Sequence, residues 1–226
     1  MSYDRTLASV ETYFDKTATR TWERLTSDAP VSRIRQTVRE GRDAMRAQLV
    51  SRLPGDLHGR RVLDAGCGAG QMTVELAARG ADVVAVDISP SLIDIAHKRL
   101  PAKLEKRVTF QSGDMLSDRL GHFDHVIAMD SLIYYDACDL AAALDTLISR
   151  TRSGVVFTVA PRTPMLMAMW RLGKLFPRSD RSPTMVPHTA AGIADALRSA
   201  RSAAHLKLLD RVTSGFYISQ AMEVTP

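Results

Sequence analysis

Arg61–Gln71 reads RVLDAGCGAGQ. A basic residue leads into Val62 and Leu63, Asp64 follows, and glycines then stand at every second position: Gly66, Gly68 and Gly70. A helical pattern begins at once in Met72–Arg79. A buried strand that ends in a glycine-rich turn and feeds a helix is a nucleotide-binding device. Glycine lets the chain bend sharply and lets a ligand approach with no Cβ in the way. The dinucleotide fingerprint asks for glycines at the first, third and sixth positions. Counted from Gly66 the sixth is Gln71, so a nicotinamide enzyme is disfavoured. A turn with no ligand is the bland alternative, and three glycines behind an Asp on an apolar strand weigh against it.

What remains, D-x-G-x-G-x-G, resembles the first motif of the Rossmann-like methyltransferases that use S-adenosylmethionine. Downstream, Asp82–Asp87 (DVVAVD) is a short apolar strand closing on an acid. Asp87 can accept hydrogen bonds from both ribose hydroxyls of an adenosyl group, a bidentate task that a neutral side chain performs poorly. Ser89 and Pro90 already read as the cap and first residue of the next helix, so Asp87 is not needed as a cap. Val108–Gln111 is a third strand, followed by Gly113-Asp114-Met115. In the methyltransferase pattern this acid-bearing turn holds the adenine amino group; an ordinary Gly-Asp turn is the alternative.

His122–Met129 is the fourth strand and runs into Asp130-Ser131-Leu132-Ile133-Tyr134-Tyr135. In a doubly wound sheet this strand end neighbours the first and faces the reactive methyl. Tyr134 and Tyr135 sit where an acceptor docks, with packing as their alternative role, while His122 and His125 read as surface or strand residues. Leu140–Ile148 is an amphipathic helix, Gly154–Pro161 a fifth strand and Ala190–Arg201 a helix. His205–Asp210 and Gly215–Val224 close the chain as two strands joined by a hairpin-like turn. The alternation predicts an α/β fold: a Rossmann-like, seven-stranded, mostly parallel sheet with helices on both faces.

Upstream, Leu7, Val10, Tyr13 and Phe14 recur at helical spacing, and a second helix carries Ile34, Val38, Met45 and Leu49 among Arg33, Arg35, Arg39, Arg42 and Arg46. The arginines read as a solvated face, with a subset lining an anion site as the less favoured alternative. Residues 1–54 are expected to form a helical cap and residues 55–226 the core. The core is interrupted at 162–188, a stretch with Met165, Met167, Met169, Met185 and Trp170 between basic flanks. Such methionine-rich apolar surface adapts to a bulky partner. A lid over a hydrophobic acceptor is the favoured reading, membrane-surface contact the second and plain core the third.

Composition narrows the classes. The net charge of +5 suits an anionic small molecule or membrane surface and is too small to argue for nucleic acid. Aromatic residues make up 6% and do not alternate with basic ones, so a base-stacking platform is not expected. The two cysteines, Cys67 and Cys138, show neither metal-ligand spacing nor a disulfide framework. A reducing cytoplasm fits. No signal-peptide-like run opens the chain, and no window has the length of a membrane-spanning helix.

Tyr13-Phe14-Asp15-Lys16-Thr17-Ala18, Trp22-Glu23-Arg24-Leu25, VLDAGCGAG, GDM, MDSLIYY and the APRTP…GKLFPR…DRSP run together resemble the magnesium-protoporphyrin IX methyltransferases of (bacterio)chlorophyll biosynthesis. The resemblance implies methyl transfer from S-adenosylmethionine to one propionate of magnesium protoporphyrin IX, leaving S-adenosylhomocysteine and the monomethyl ester. Magnesium enters only within the substrate, and no metal site is expected in the chain. The resemblance also implies N-terminal arms that close over the cofactor, substrate received from the large subunit of magnesium chelatase, and a cytoplasmic protein with peripheral contact at the inner membrane. The family often has His-Tyr where this chain has Tyr134-Tyr135, so a histidine base there is not part of this chain's chemistry.

A propionate is already ionised at neutral pH, its reference pKa being about 4–5, and needs no strong base. Tyr13 and Tyr134 are the expected catalytic residues, orienting the carboxylate and the donor. Asp64, Gly66, Gly68, Gly70, Asp87, Ile88, Asp114, Met115 and Met129 are the expected cofactor contacts. Tyr135, Arg162, Met165, Met169 and Trp170 are the expected substrate contacts. Two rivals stand beside this: an O-methyltransferase acting on a quinone precursor, whose phenol would need a base, and a tetrapyrrole carrier without catalysis.

Overall fold

The computed structural model describes residues 3–15, 19, 23, 25–26, 32–164, 166–167 and 183–226. Among them seven strands form one sheet: β1 (Arg61–Ala65), β2 (Asp82–Asp87), β3 (Val108–Ser112), β4 (Phe123–Ala128), β5 (Thr151–Val159), β6 (His205–Ser214) and β7 (Tyr217–Thr225). Their order is β3-β2-β1-β4-β5-β7-β6. β1 to β5 pair in parallel, and β7 lies antiparallel between β5 and β6. The chain leaves β1 on opposite sides toward β2 and β4, which makes the carboxyl ends of β1 and β4 the switch point.

The helices are α1 (Tyr3–Tyr13), α2 (Arg33–Val50), α3 (Gln71–Ala78), α4 (Pro90–Arg99), α5 (Ala137–Ser149) and α6 (Ala190–Ser199). Their starts follow local chemistry. Ser89 caps α4 by accepting from the Leu92 amide, with Pro90 first in the helix, and Asp136 caps α5 by accepting from the Cys138 and Asp139 amides. Parallel strands covered on both faces read as continuous apolar runs whose alternate residues point to opposite sides. Leu63, Val126, Val155 and Phe157 pack under α5 and α6 through Leu140, Leu144, Leu147, Ile193 and Leu197. Val62, Val83, Ile127 and Val156 pack on the other face with Met45 and Leu49 of α2, Met72 and Leu76 of α3 and Ile93 of α4.

The stretch expected to form one N-terminal cap therefore divides. Met45, Leu49 and Val50 are fully buried, which makes α2 a layer helix of the core. α1 lies across the carboxyl ends of the strands, and Arg42 and Arg46 of α2 reach the same end. Of the two closing strands, β6 runs four residues past its sequence pattern, to Ser214, with a register shift between Leu208 and Arg211, and β7 starts two residues later than expected, at Tyr217. Residue 165 and residues 168–182 of the 162–188 stretch lie outside the described residues. Its return passes beside β5: the His188 amide donates to Ala160 O at 2.8 Å and the Val186 amide to Ile133 O at 2.8 Å. Among the described residues no helix is long and apolar enough to cross a membrane.

Candidate active site

Parallel strands end at one edge, and the turns leaving β1 to β4 wall a single cavity there.

The glycine turn is one wall. The Gly66 and Cys67 amides both donate to Val86 O, at 2.8 and 2.9 Å, tying the bend to β2. Gly66 has φ +82°, and a Cβ there would stand 2.3 Å from the Ser131 Cβ, so only glycine fits. Gly68 also has positive φ, yet nothing lies within 4 Å of where its Cβ would be. That opening faces the cavity. The Gly68 amide donates to Asp87 Oδ2 at 2.8 Å, and the Ser89 amide to Oδ1 at 2.9 Å. Burial pushes the Asp87 carboxyl above its ordinary range, and these two amides pull it back. Asp64 is 1% exposed and accepts from Thr73 Oγ1 at 2.5 Å. Burial pushes its pKa up to about 7.

The end of β4 forms the second wall. Asp130 holds φ +57°, a strained value for a residue with a Cβ. Its carboxylate collects donors from three elements. Arg42 Nη1 of α2 reaches Oδ2 at 2.5 Å, the Tyr217 hydroxyl of β7 lies 3.1 and 3.2 Å from the two oxygens, and Thr158 Oγ1 of β5 lies 3.1 Å from Oδ1. Beyond Asp130 the chain turns through a short 3₁₀ helix, Leu132–Tyr134, that sets Tyr134 and Tyr135 into the cavity wall. Burial and the nearby Asp130 charge push the Tyr134 hydroxyl well above its ordinary pKa, and burial holds Tyr135 at about 12. Both keep their protons at neutral pH.

The third wall is α1, with Leu7, Val10 and Phe14. Two pins hold it down. The Tyr3 hydroxyl donates to Asp114 Oδ1 at 2.7 Å while its ring stacks on Tyr135 with centroids 5.0 Å apart. Asp15 Oδ1 accepts from the Ser91 amide at 3.1 Å and the Ser91 hydroxyl at 2.6 Å, at the first turn of α4. Phe14 meets Tyr134 edge to face at 6.1 Å and Tyr13 at 5.1 Å, which puts Tyr13 one ring behind Tyr134.

Comparison with known proteins places this geometry. A family model described as "Magnesium-protoporphyrin IX methyltransferase C-terminus" matches residues 128–226, and one described as "Methyltransferase domain" matches 62–154. The magnesium-protoporphyrin O-methyltransferase of Rhodobacter capsulatus is 61% identical over 218 residues, covering 96% of this chain and 95% of that one. The chain belongs to the magnesium-protoporphyrin O-methyltransferase family. A crystal structure of the magnesium protoporphyrin IX methyltransferase of Synechocystis PCC 6803 with bound SAH is 29% identical with a TM-score of 0.80, covering 96% of this chain and 98% of that one. The same protein with bound SAM is 26% identical at TM-score 0.77, covering 97% and 96%.

For this family member the cavity wall holds Asp64, Gly66, Gly68, Asp87, Ile88, Met115, Met129, Tyr134 and Tyr135. Gly70, Asp114, Tyr13 and Arg162 are not in that wall. Gly70 caps α3 in the left-handed conformation, and a Cβ there would lie 3.0 Å from the Ala96 Cβ of α4. Its glycine serves the packing of two helices. The Asp114 Oδ1 takes Tyr3 and the Leu116 amide, while its neighbours Gly113 and Met115 line the cavity. Arg162 is exposed. Met165, Met169 and Trp170 lie outside the described residues. His188 is buried with its Nε2 3.0 Å from Tyr135 O and is not in the cavity wall.

Sequence reasoning passed over Asp130 and Tyr217 as site residues, and gave Arg42 only the less favoured reading of an arginine at an anion site. Asp130 carried a readable signal, an acid at a strand's carboxyl end like Asp87. Arg42 was hidden in a basic face that read as solvated, and Tyr217 had no local mark at all.

Proposed function

We propose that this methyltransferase holds S-adenosylmethionine across the glycine turn and the end of β2, and presents one propionate of magnesium protoporphyrin IX to it beside Tyr134. The observation that carries the donor half is the open face at Gly68, backed by the amide-anchored carboxylate of Asp87. A Cβ-free bend next to a fixed acceptor pair fits an adenosyl ribose. Ile88, Met115 and Met129 supply apolar contact. Gly70 and Asp114 act one step back, through helix packing and through the α1 pin.

S-adenosylmethionine supplies a methyl group on a sulfonium cation. The protein has little covalent work to do, because the attacking oxygen is already an anion. Tyr134, protonated throughout, donates a hydrogen bond to the carboxylate and fixes its direction, and Tyr13 backs it through Phe14. The gain is orientation: an oxygen held about 3–3.5 Å from the methyl carbon makes the step effectively unimolecular. Cation and anion become neutral ester and thioether, so a dry cavity favours the less charged transition state. Tyr135 and the methionine-rich 162–188 stretch, including Arg162, Met165, Met169 and Trp170, cover the macrocycle. That stretch and its basic flanks also make the peripheral membrane contact, where substrate arrives from magnesium chelatase.

The test is incubation with methyl-labelled S-adenosylmethionine and three acceptors: magnesium protoporphyrin, metal-free protoporphyrin and a demethylated quinone precursor. Label is expected in magnesium protoporphyrin as an alkali-labile ester. Label only in the quinone, as an alkali-stable ether, overturns the substrate. Tyr134→Phe and Tyr13→Phe are expected to lower turnover by about tenfold, one hydrogen bond's worth, with donor affinity unchanged.

A further inference from the structure

Methylating one arm of a diacid poses a selection problem. Magnesium protoporphyrin carries two propionates side by side, and the monoester that leaves still carries one. Turned over, the monoester would offer that second carboxylate to the same donor. Stopping at one methyl requires a group that reads the non-reacting propionate as an anion and rejects an ester in its place.

Two residues of the described cavity wall are cations at neutral pH, Arg42 and Arg46. Their settings differ. Arg46 is engaged at the rim by Asp43 at 2.8 Å and Glu75 at 3.4 Å, whose side chains are 48% and 33% exposed. Arg42 pairs inside with Asp130, both side chains being under one-fifth exposed. Asp130 does not depend on Arg42 alone, since the hydroxyls of Tyr217 and Thr158 also donate to it. It can share Arg42 with a second carboxylate without being left bare in the interior, where an unpaired charge is costly. Arg42 also lines the cavity with Tyr134, and its charge offsets part of the burial effect on that hydroxyl.

We propose that Arg42, set in place by Asp130 and Tyr217, binds the non-reacting propionate and so restricts methylation to the diacid. This rests on the substrate reading above. A guanidinium suits the task because its planar fork matches a carboxylate with two parallel bonds, which an ester cannot accept with equal strength.

The test compares the full chain and its Arg42→Gln and Arg42→Lys variants on magnesium protoporphyrin and on its monomethyl ester, with S-adenosylhomocysteine affinity measured by calorimetry. The wild type is expected to favour the diacid over the monoester by about 100-fold or more in kcat/KM, as sites built around a polar partner do. In Arg42→Gln the KM for the diacid rises about tenfold or more, the preference collapses and dimethyl ester appears. Affinity for S-adenosylhomocysteine stays within about twofold in both variants, because the donor's half of the site is untouched. Arg42→Lys, which keeps the charge without the fork, falls between. Arg42→Gln retaining full discrimination overturns the proposal. So does a tenfold loss of S-adenosylhomocysteine affinity with the porphyrin KM unchanged, which would assign Arg42 to the donor's own carboxylate. Should Arg42→Gln fail to fold, binding of the diacid and of the dimethyl ester to the wild type with S-adenosylhomocysteine decides, and equal affinities overturn it. A wild type that methylates the quinone precursor and neither porphyrin overturns the substrate reading and takes the Arg42 assignment with it.

Discussion

Asp64 and Asp87 sit on neighbouring strands, but their surroundings divide their roles. Asp87 is fixed by two backbone amides and keeps its carboxylate turned to the cavity. Asp64 is 1% exposed, and its pKa is raised from 3.8 to about 7 by burial. Between those two values the folded chain binds a proton that the unfolded chain has lost. Stability therefore falls as pH rises through that window, at up to about 1.4 kcal/mol per unit, and the contribution is fully present only below the lower value. Asp64→Asn keeps an acceptor for Thr73 and removes the titration. Its urea midpoint is expected to fall less between pH 5 and 7.5 than that of the wild type. Parallel profiles would show that Asp64 is ionised throughout. The sequence marked both acids, but it could not separate an amide-anchored carboxylate in the cavity wall from a buried strand carboxyl, because both read as an acid on an apolar strand.

At the scale of elements, the strand–turn–helix at β1 was legible to within one residue. Its glycines nevertheless do three different jobs. Gly66 makes room for Ser131, Gly70 makes room for α4, and Gly68 alone leaves space open. Gly66→Ala is expected to lower stability by about 1–3 kcal/mol through overpacking, beyond the cost of its left-handed conformation. Gly68→Ala should cost only about 1 kcal/mol of stability, for its φ, yet weaken S-adenosylhomocysteine binding more than it weakens the fold. Thermal melts and calorimetry on the pair separate the two effects, and equal losses in both would show that Gly68 faces no ligand. The helices upstream were read correctly as helices and less well as a unit. Helical spacing shows that a face is apolar and says nothing of what it meets. α2 met the sheet through Met45 and Leu49 and the cavity through Arg42 and Arg46, while α1 met the cavity alone.

Across the whole molecule, the antiparallel β7 begins at the edge where the parallel strands end, and this delivers Tyr217 to Asp130. The ring lies against α2, where a Cβ on Gly41 would stand 2.6 Å from Tyr217 Cδ1. Gly41→Ala is expected to destabilise by about 1–3 kcal/mol through this contact and to lower turnover by displacing Tyr217 from Asp130. A variant with normal activity and melting temperature would show that the ring can yield freely. The cavity wall formed by the glycine turn and the end of β2 was legible because each of its signals is local: a bend that needs glycine, an acid closing a strand, a serine and proline opening a helix, all within some twenty-five residues. The charged end of the cavity was not. Arg42 and Tyr217 stand 88 and 87 positions from Asp130 in the chain. Nothing in their own neighbourhoods distinguishes them from a solvated arginine and a packing tyrosine. Their meeting depends on how α2, β4 and β7 stack around one sheet, and that arrangement is a property of the burial of all three together.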